Sequence, residues 1–428
     1  MSLRTNTREL PEGWIEKKLG DVCEKVEYGS SAKSQLEGKI PVLRMGNIQN
    51  GSIDWSDLVY TTNQEEIDKY LLKYNDVLFN RTNSDEHVGK TAIYKGERPA
   101  IFAEYLIRIH RKEDLLDADF LNYYLNSNTT RKYGKSVMSR SVNQANINGT
   151  KLKEYPIVVP PLPEQKRIVA IVDKAFEGID RAIANTEKNL TNTRELFESY
   201  LDAIFVRKGN DWVEKRLTEI GGKVLTGPFG SLLHKSDYVS NGVPLVNPAN
   251  IEGDRIIPDF NKTVDQDALN RLQAYILKEN DIVVGRRGEI GRCSVVRKEQ
   301  SGWLCGTGCF FIQPFKYTNP VFLAHLLRST IYRNKLELLA TGATMKNLSN
   351  QSLSSLVIAL PGLDEQNRII NKLNDSTIET RRLETIYQQK LAALNELKQS
   401  ILQKAFSGEL TADTTQQATE TAKEVAAA

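Results

Sequence analysis

The sequence contains 428 residues, of which 40% are hydrophobic and 26% are charged, and its formal net charge at pH 7 is +3. This composition is typical of a globular protein, and at roughly 150 residues per domain the length predicts two or three domains. No apolar run approaches the roughly 18 residues that span a bilayer, and the opening MSLRTNTREL is polar, so we expect a cytoplasmic protein without a membrane segment or signal peptide.

The four cysteines are sparse for a chain of this length. Without an export signal they predict reduced thiols. Cys305 and Cys309 have the C-x3-C spacing of a zinc-ligand pair, but no second pair and no histidine follows at zinc-site spacing. We therefore expect core or loop thiols rather than a metal site.

Several sequence blocks occur twice, in the same order. WIEKKLGDV at 14–22 recurs as WVEKRLTEI at 212–220, YLLKYNDVLFNR at 70–81 as YILKENDIVVGR at 275–286, and PPLPEQKRIV at 160–169 as PGLDEQNRII at 361–370. The separation stays between 198 and 205 residues throughout. Chance similarity does not keep one register over so many blocks, so the chain is a tandem duplication of a unit far longer than a solenoid repeat.

Each copy begins with a mixed globular region, which we call the first head (11–160) and the second head (211–361). Short strand candidates such as KIPVLRM, DVLFN and DIVVG alternate with glycine and Asn-Asp turn signals. Short helical stretches, DFLNYYLNS and VFLAHLLRS, interrupt them. The pattern predicts an α+β fold for both heads.

A long helix is predicted after each head, beginning at a proline-containing hinge. Mostly apolar or small residues recur every three or four positions from Ile168 to Ile204 and, 201 positions later, from Ile369 to Ala405, with Lys398 as the exception. This is a coiled-coil-like seam, and its polar members (Thr186, Thr193, Thr377, Thr380) would lower its stability and help specify register. The alternative is that each helix packs only on its own head.

Two equal units in one chain tend to pair around a pseudo-twofold axis. If that axis is perpendicular to the helices, the helices run antiparallel and the heads lie at opposite ends of a rod. The final residues, 410–428, are of low complexity, and we expect them to be disordered.

The sequence offers no recognisable catalytic machinery. It lacks a phosphate-binding G-x-x-x-x-G-K-[ST] loop, and its four histidines are scattered. Asn247-Pro248-Ala249-Asn250 superficially resembles the Asn-Pro-Pro-aromatic motif of amino-methyltransferases but lacks its second proline and its aromatic residue. Turn chemistry explains the segment adequately, and we expect no active site.

Basic residues are concentrated in corresponding parts of the two heads. Residues 120–153 carry six basic side chains and no acidic one, and residues 322–353 carry four basic side chains and one acidic one. Lys and Arg neutralise phosphates, whereas Asn, Gln and Arg can read base edges. A solvated basic face would explain one such stretch, but its recurrence favours nucleic-acid binding.

Two further arginine segments, Arg81-Thr82-Asn83-Ser84 and Arg286-Arg287-Gly288-Glu289, follow the strands of the Asn-Asp blocks. Such loops could reach a groove, although ion pairs with Asp76 or Asp281 are an alternative. The candidate DNA-binding residues are Arg81, Asn83, Arg131, Lys132, Lys135, Arg140 and Asn143 in the first head, and Arg286, Arg287, Arg333, Lys335, Lys346 and Asn347 in the second.

The order of these blocks resembles the specificity subunits of type I restriction–modification enzymes. The resemblance rests on LPEGW at 10–14 with its echo at Asp211-Trp212, on the two EQ-containing hinges, and on QSILQKAFSGEL at 399–410. It covers the chain from about residue 10 to 410. The doubled order of the motifs is more specific than any one of them.

The resemblance implies two target recognition domains (1–160 and 207–361), each reading one half of a split, asymmetric site in double-stranded DNA. Two long helices (161–206 and 362–409) would set the gap between the half-sites and dock two modification subunits. Those partners bind S-adenosylmethionine, and two restriction subunits that use ATP and Mg²⁺ can join them. This chain would be non-catalytic and would hold neither a cofactor nor a metal.

Two other classes remain open. A self-contained methyltransferase or nuclease is disfavoured by the missing motifs, and methyl transfer by the isolated chain would support it. A protein–protein scaffold with two peptide-binding heads would suit the same layout. A steep salt dependence of DNA affinity would separate DNA binding from that scaffold.

Overall fold

The computed structural model describes residues 10–141, 144–207, 209, 211–220, 223–229, 232–313, 317–342 and 346–412. These residues form two compact units. The first unit comprises the described residues up to Thr186 and those from Gln389 onward, and the second comprises Glu187–Gln388. Each unit therefore contains one head and a segment of both long helices.

The first copy contains fourteen strands and five α-helices among its described residues. The strands are β1 Ile15–Lys18, β2 Cys23–Tyr28, β3 Ile40–Leu43, β4 Ile48–Gln49, β5 Ser52–Ile53, β6 Val59–Thr61, β7 Val77–Asn80, β8 Thr82–Asn83, β9 Thr91–Ile93, β10 Ile101–Phe102, β11 Leu106–Arg111, β12 Ser139–Arg140, β13 Ala145–Asn146 and β14 Pro156–Val159. The helices are α1 Gln64–Tyr70, α2 Ala118–Asn126, α3 Asn128–Val137, α4 Gly149–Lys153 and α5 Leu162–Val206.

The second copy contains twelve strands and six α-helices among its described residues. The strands are β15 Val213–Arg216, β16 Val224–Thr226, β17 Tyr238–Val239, β18 Val243–Val246, β19 Ile251–Glu252, β20 Arg255–Ile256, β21 Thr263–Val264, β22 Ile282–Gly285, β23 Cys293–Val295, β24 Leu304–Cys305, β25 Cys309–Ile312 and β26 Val357–Leu360. The helices are α6 Leu217–Ile220, α7 Gln266–Arg271, α8 Pro320–Arg328, α9 Thr330–Leu339, α10 Asn350–Ser354 and α11 Leu363–Ser407.

Each head is built on an antiparallel four-stranded sheet of the same order. The sheet is β2-β11-β7-β9 in the first head and β16-β25-β22-β23 in the second. The predicted strands DVLFN and DIVVG are β7 and β22, and every residue of both is buried. A continuous apolar run suits a strand that is covered on both faces. The α+β prediction is confirmed.

The turn that precedes each of these strands is the same in both heads. Asn75 and Asn280 adopt φ values of 68° and 71°, in the left-handed region that asparagine tolerates better than most residues. The next residue in each head is an aspartate, whose Oδ2 accepts a hydrogen bond at 2.9 Å from the backbone N of Lys73 or Lys278. The repeated Asn-Asp pair therefore fixes where the central strand begins.

A buried glutamine joins each head to the long helix that follows it. Gln165 accepts a hydrogen bond from the backbone N of Asp117 at 2.8 Å, and its Nε2 donates to the carbonyl oxygens of Leu115 and Pro160. In the second copy Gln366 accepts from Asn319 N at 2.9 Å and donates to the carbonyls of Tyr317 and Pro361. The repeated EQ sequence thus fastens the first turn of the long helix to the start of α2 or α8.

The long helix segments run antiparallel within each unit. In the first unit Ile168 and Val172 of α5 share a core with Leu402 and Ala405 of α11, and Lys398 pairs with Asp180. In the second unit Arg194 pairs with Glu384 at 2.6 Å, and Leu201 shares a core with Leu373. Increasing residue numbers in α5 meet decreasing numbers in α11, as the pseudo-twofold argument predicted.

The helix segments pack on the heads as well as on each other, because these shared cores include head residues such as Phe120 and Phe322.

The predicted seam is wrong near the end of α5. The spacing of three or four residues that ends at Ile204 includes Tyr200. Tyr200 is 38% exposed, however, whereas Leu201 and Phe205 are 5% and 1% exposed. Packing against the second head selects a stripe one position further along the helix.

The four cysteines are free and buried, as expected of core thiols. Burial raises the pKa of Cys293 to about 11 and that of Cys23 to about 12. Within the described ranges no three potential ligands approach closely enough to hold a metal ion, and no helix there is long and apolar enough to cross a membrane.

The segment from 410 onward was expected to be disordered. Leu410 packs against the core of the first head and Thr411 is 5% exposed, so that expectation is wrong for these two residues. Residues 413–428 lie outside the described residues.

Candidate nucleic-acid interface

Arg81 and Arg286 occupy the same position in the two heads, directly after β7 and β22. The Arg81 guanidinium lies over the Tyr28 ring, 4.9 Å from its centroid, and Nη1 donates to the carbonyl of Glu104 at 3.2 Å. The Arg286 guanidinium lies 5.2 Å from the centroid of Phe310, and Nε donates to Asn347 Oδ1 at 3.2 Å. Both are half-buried, and an aromatic ring fixes the direction of each guanidinium.

The alternative that these arginines pair with the neighbouring aspartates is wrong. Asp76 instead pairs with Arg108 at 3.0 Å. Asp281 is 3% exposed, and burial raises its pKa although its Oδ2 accepts the backbone N–H of Lys278. Arg81 and Arg286 are therefore not committed to carboxylates within the described residues.

Three chain segments converge at each of these arginines. The backbone N of Arg81 donates to Tyr105 at 3.0 Å, and its carbonyl accepts from Ile147 N at 2.8 Å. In the second head Arg286 N donates to Gly308 at 2.9 Å, and its carbonyl accepts from Leu348 N at 2.9 Å. We call these convergence points the first loop edge (81–85, 103–105, 139–147) and the second loop edge (286–289, 306–308, 341–348), leaving aside the residues outside the described ranges.

At the first loop edge, β8, β13 and β12 bring Asn83 and Arg140 into one small sheet. Asn83 is paired with Ala145, and Ala145 with Arg140. The Arg140 side chain is 59% exposed and its Nε pairs with Asp85 at 2.8 Å. Asn83 is half-buried, and its Oδ1 accepts from Ser84 N. Asn143 lies outside the described residues.

The second loop edge brings together four of the predicted residues. Arg287 is exposed and forms a β-bridge with Asn347, which also bridges Thr341. Lys346 is exposed and its Nζ lies 3.7 Å from a Glu337 carboxylate oxygen. Arg286 completes the group through its hydrogen bond to Asn347. The result is a surface with charged and amide groups held on a backbone framework.

Arg131 has a different environment from the other candidates. Its Nη1 and Nη2 donate at 2.6 Å to the carbonyl oxygens of Val88 and Glu86, and burial lowers the pKa of its guanidinium. These bonds hold the loop that carries Asp85. Arg131 therefore stabilises the loop of the first loop edge through its hydrogen bonds to backbone carbonyls.

The remaining candidates lie on helices. Lys132 and Lys135 are exposed on α3, just before β12. Lys335 is exposed on α9, with its Nζ 4.6 Å from the centroid of the Tyr332 ring. Arg333 is half-buried and donates to Thr330 Oγ1 at 3.4 Å. These residues are positively charged, but no side-chain hydrogen bond or ion pair joins them to the loop edges in the part of the chain described.

Sequence reasoning missed the residues that support the loop edges. The rings of Tyr28 and Phe310 lie beneath the two guanidinium groups. Gly29 and Gly227 let another backbone segment approach closely, because a Cβ added to Gly29 would lie 2.2 Å from Phe102 O and one added to Gly227 would lie 2.0 Å from Gly306 O. The glycines do recur, in VEYG and VLTG. This recurrence could have pointed to the two glycines. The backbone segments that approach them are distant in sequence, so the sequence alone did not identify those segments.

Comparison with known proteins gives a consistent result. The family described as "Type I restriction modification DNA specificity domain" matches residues 11–192 and 209–393. The MjaX type I restriction enzyme specificity subunit of Methanocaldococcus jannaschii is 30% identical over 411 residues, covering 89% of this chain and 91% of that protein. The EcoKI specificity subunit of Escherichia coli is 24% identical, covering 94% and 90%.

Two solved structures have the same fold. One, from work on complex assembly and conformational transition of the type I R-M system, aligns with a TM-score of 0.73 at 20% identity over 94% of this chain and 100% of its own. The other is the HsdS subunit of Thermoanaerobacter tengcongensis, with a TM-score of 0.51 at 20% identity over 94% and 99%. From the doubled match and the full-length similarity, this chain belongs to the type I restriction–modification DNA specificity domain family.

Proposed function

We propose that this chain is the non-catalytic DNA sequence-specificity subunit of a type I restriction–modification complex, and that each head reads one half of a bipartite target in double-stranded DNA. The observation that carries this proposal is the repeated loop edge: the same backbone framework supports different side chains in the two heads. Arg81-Thr82-Asn83 in one corresponds to Arg286-Arg287-Gly288 in the other. Because the backbone frameworks match while the side chains that would contact the bases differ, we expect two different half-sites and hence an asymmetric target.

The chemistry of the loop edges suits DNA. Arginine can donate two hydrogen bonds to guanine O6 and N7, and asparagine can pair with adenine N6 and N7. We assign base reading to the exposed or half-buried residues Arg81, Asn83, Arg140, Arg286, Arg287, Lys346 and Asn347 of the loop edges. We also assign it to Asn143, which lies outside the described residues. The helix residues Lys132, Lys135 and Lys335 suit phosphate contacts, which contribute affinity without sequence preference.

The long helices would set the number of unread base pairs and dock two modification subunits. Those partners would supply S-adenosylmethionine and methylate adenine in the cytoplasm, and two restriction subunits with ATP and Mg²⁺ would add translocation and cleavage. We also propose the domain boundaries 1–160, 161–206, 207–361 and 362–409 for this division of labour.

The test is to map methylated adenines by single-molecule sequencing of DNA exposed to the complete methyltransferase complex. We expect one split, non-palindromic motif. Arg140→Ala should relax one base position in the half-site of the first head, with a loss of about 1–3 kcal/mol in binding. A perfect palindrome would contradict two unlike readers, and equal weakening on all sequences would make Arg140 a phosphate contact.

The scaffold alternative predicts peptide binding by the heads and no steep salt dependence of DNA affinity. Loss of DNA affinity by orders of magnitude between about 50 and 200 mM salt would support DNA binding, because each neutralised phosphate releases counterions.

A further inference from the structure

The second unit contains a cavity of about 520 Å³ between its head and its long helix segments. Phe197 and Leu201 of α5, together with Ile251 and Ile290 of the head, supply apolar walls. Polar and basic side chains complete the lining: Arg328 and Arg333 from α8 and α9, and Thr377, Thr380 and Arg381 from α11. The volume falls in the range of roughly 300–1,000 Å³ that small-molecule sites occupy.

The corresponding positions in the first unit are occupied by two aromatic rings. Tyr123 of α2 and Phe176 of α5 pack edge to face, with ring centroids 5.5 Å apart, and the Tyr123 hydroxyl donates to Asp173 at 2.5 Å. By the repeat offsets of 202 in the head and 201 in the helix, the second copy has His325 and Thr377 at the ring positions. The smaller side chains leave the space open.

Three of the five arginines that line the cavity are paired with carboxylates. Arg194 binds Glu384 at 2.6 Å, and the other two pairs are Arg292 with Glu289 and Arg381 with Asp254. The remaining acidic lining residues, Glu198 and Glu252, are exposed, so that water screens their charges.

Arg328 and Arg333 have no carboxylate within 4.0 Å among the described residues. Arg328 donates to His325 Nδ1 at 3.0 Å, and Arg333 donates to Thr330 Oγ1 at 3.4 Å. Because Nδ1 accepts this hydrogen bond, the neutral imidazole of His325 carries its proton on Nε2. Burial raises the pKa of Asp254, but the hydrogen bond from Arg381 and the charges of Arg328 and Arg381 lower it, so Arg328 acts on this carboxylate without a direct ion pair. Two guanidinium groups without a direct ion pair, beside an apolar wall, favour a ligand that has both an anion and a ring.

We propose that this cavity binds a mononucleotide, with the phosphate against Arg328 and Arg333 and the base against Phe197 and the aliphatic walls. Guanidinium groups bind phosphate through paired, charge-assisted hydrogen bonds. The base would occupy the volume that the Tyr123–Phe176 pair fills in the first unit.

The position of the cavity links the ligand to DNA recognition, a consequence that rests on the proposed function. Ile290 and Arg292 line the cavity, and the same loop begins with Arg286 and Arg287 of the second loop edge. A nucleotide bound in the cavity contacts this loop on its cavity side and restricts its movement. It would therefore change the affinity of the second head for its half-site, and DNA would change nucleotide affinity by the same factor.

The experiment is calorimetric titration of the full-length chain with adenosine monophosphate, adenosine and inorganic phosphate. We expect the nucleotide to bind at least tenfold more tightly than either fragment. Arg328→Gln should weaken nucleotide binding at least tenfold, whereas the matched control Arg382→Gln, an exposed α11 residue outside the cavity lining, should leave it unchanged.

The filling variant His325→Tyr/Thr377→Phe installs the side chains of the first copy and should abolish nucleotide binding while the melting temperature and DNA affinity remain. Binding by the filled variant equal to wild type, no binding by wild type at millimolar concentration, or phosphate binding as tight as the nucleotide would each overturn the proposal. Loss of the methyltransferase partner by the filled variant, without nucleotide binding by wild type, would also overturn it and assign the cavity to a protein side chain. DNA affinity measured in the same variants tests the proposed function separately.

Discussion

Replacing Gln366 by leucine should loosen the second head from its long helix. The glutamine is 1% exposed, and its amide makes three hydrogen bonds: from Asn319 N at 2.9 Å, to Pro361 O at 2.9 Å and to Tyr317 O at 3.3 Å. At roughly 1 kcal/mol of net stability per bond the loss is about 3 kcal/mol. Leucine has a similar volume, so the change removes bonds with little change in packing.

Urea unfolding of the full-length chain, followed by circular dichroism, measures this loss. Gln165→Leu is the matched variant, because Gln165 makes the equivalent bonds in the first copy, all at 2.8 Å. Hydrogen exchange should quicken at the start of α11 in the first variant and at the start of α5 in the second. A stability within about 0.5 kcal/mol of wild type for both would refute the role assigned to these glutamines.

Three further predictions concern charge. Arg287→Ala should relax one position of the second half-site at a cost of about 1–3 kcal/mol in binding, whereas Lys335→Ala should weaken binding to all sequences and lower the salt slope by about one. If a methylation-based binding assay shows equal, sequence-independent losses for both variants, base reading by Arg287 is rejected. Arg131→Gln, which removes the charge, should speed hydrogen exchange in residues 84–89 without lowering the salt slope of DNA affinity, because the η nitrogens of Arg131 bind carbonyl oxygens there. A lower slope would make Arg131 a phosphate contact. Burial raises the pKa of Glu27, but hydrogen bonds from Arg108 and His110 outweigh it and lower that pKa from 4.5 to about 2. Glu27→Gln should therefore destabilise the chain above about pH 4.5, and the difference should fade as the pH falls towards 2. A difference in thermal unfolding that does not depend on pH would contradict this.

The sequence by itself determined the duplication, the α+β heads and the two long helices. These features depend on local patterns that recur: the Asn-Asp turn before β7 and β22, the buried runs of those strands, and the EQ pair that begins each helix. The arginines after the central strands were also found from sequence, because their position follows directly from the strand boundary.

Only the tertiary structure decided which partner each side chain meets. Arg131 is as basic in sequence as Lys132, but its position beneath the loop at 84–89 turns it towards carbonyl oxygens. Tyr200 fits the helical period, yet the second head covers Leu201 and Phe205. Periodicity fixes the spacing of residues along an element, whereas the face that becomes buried depends on surfaces contributed by residues distant in the chain.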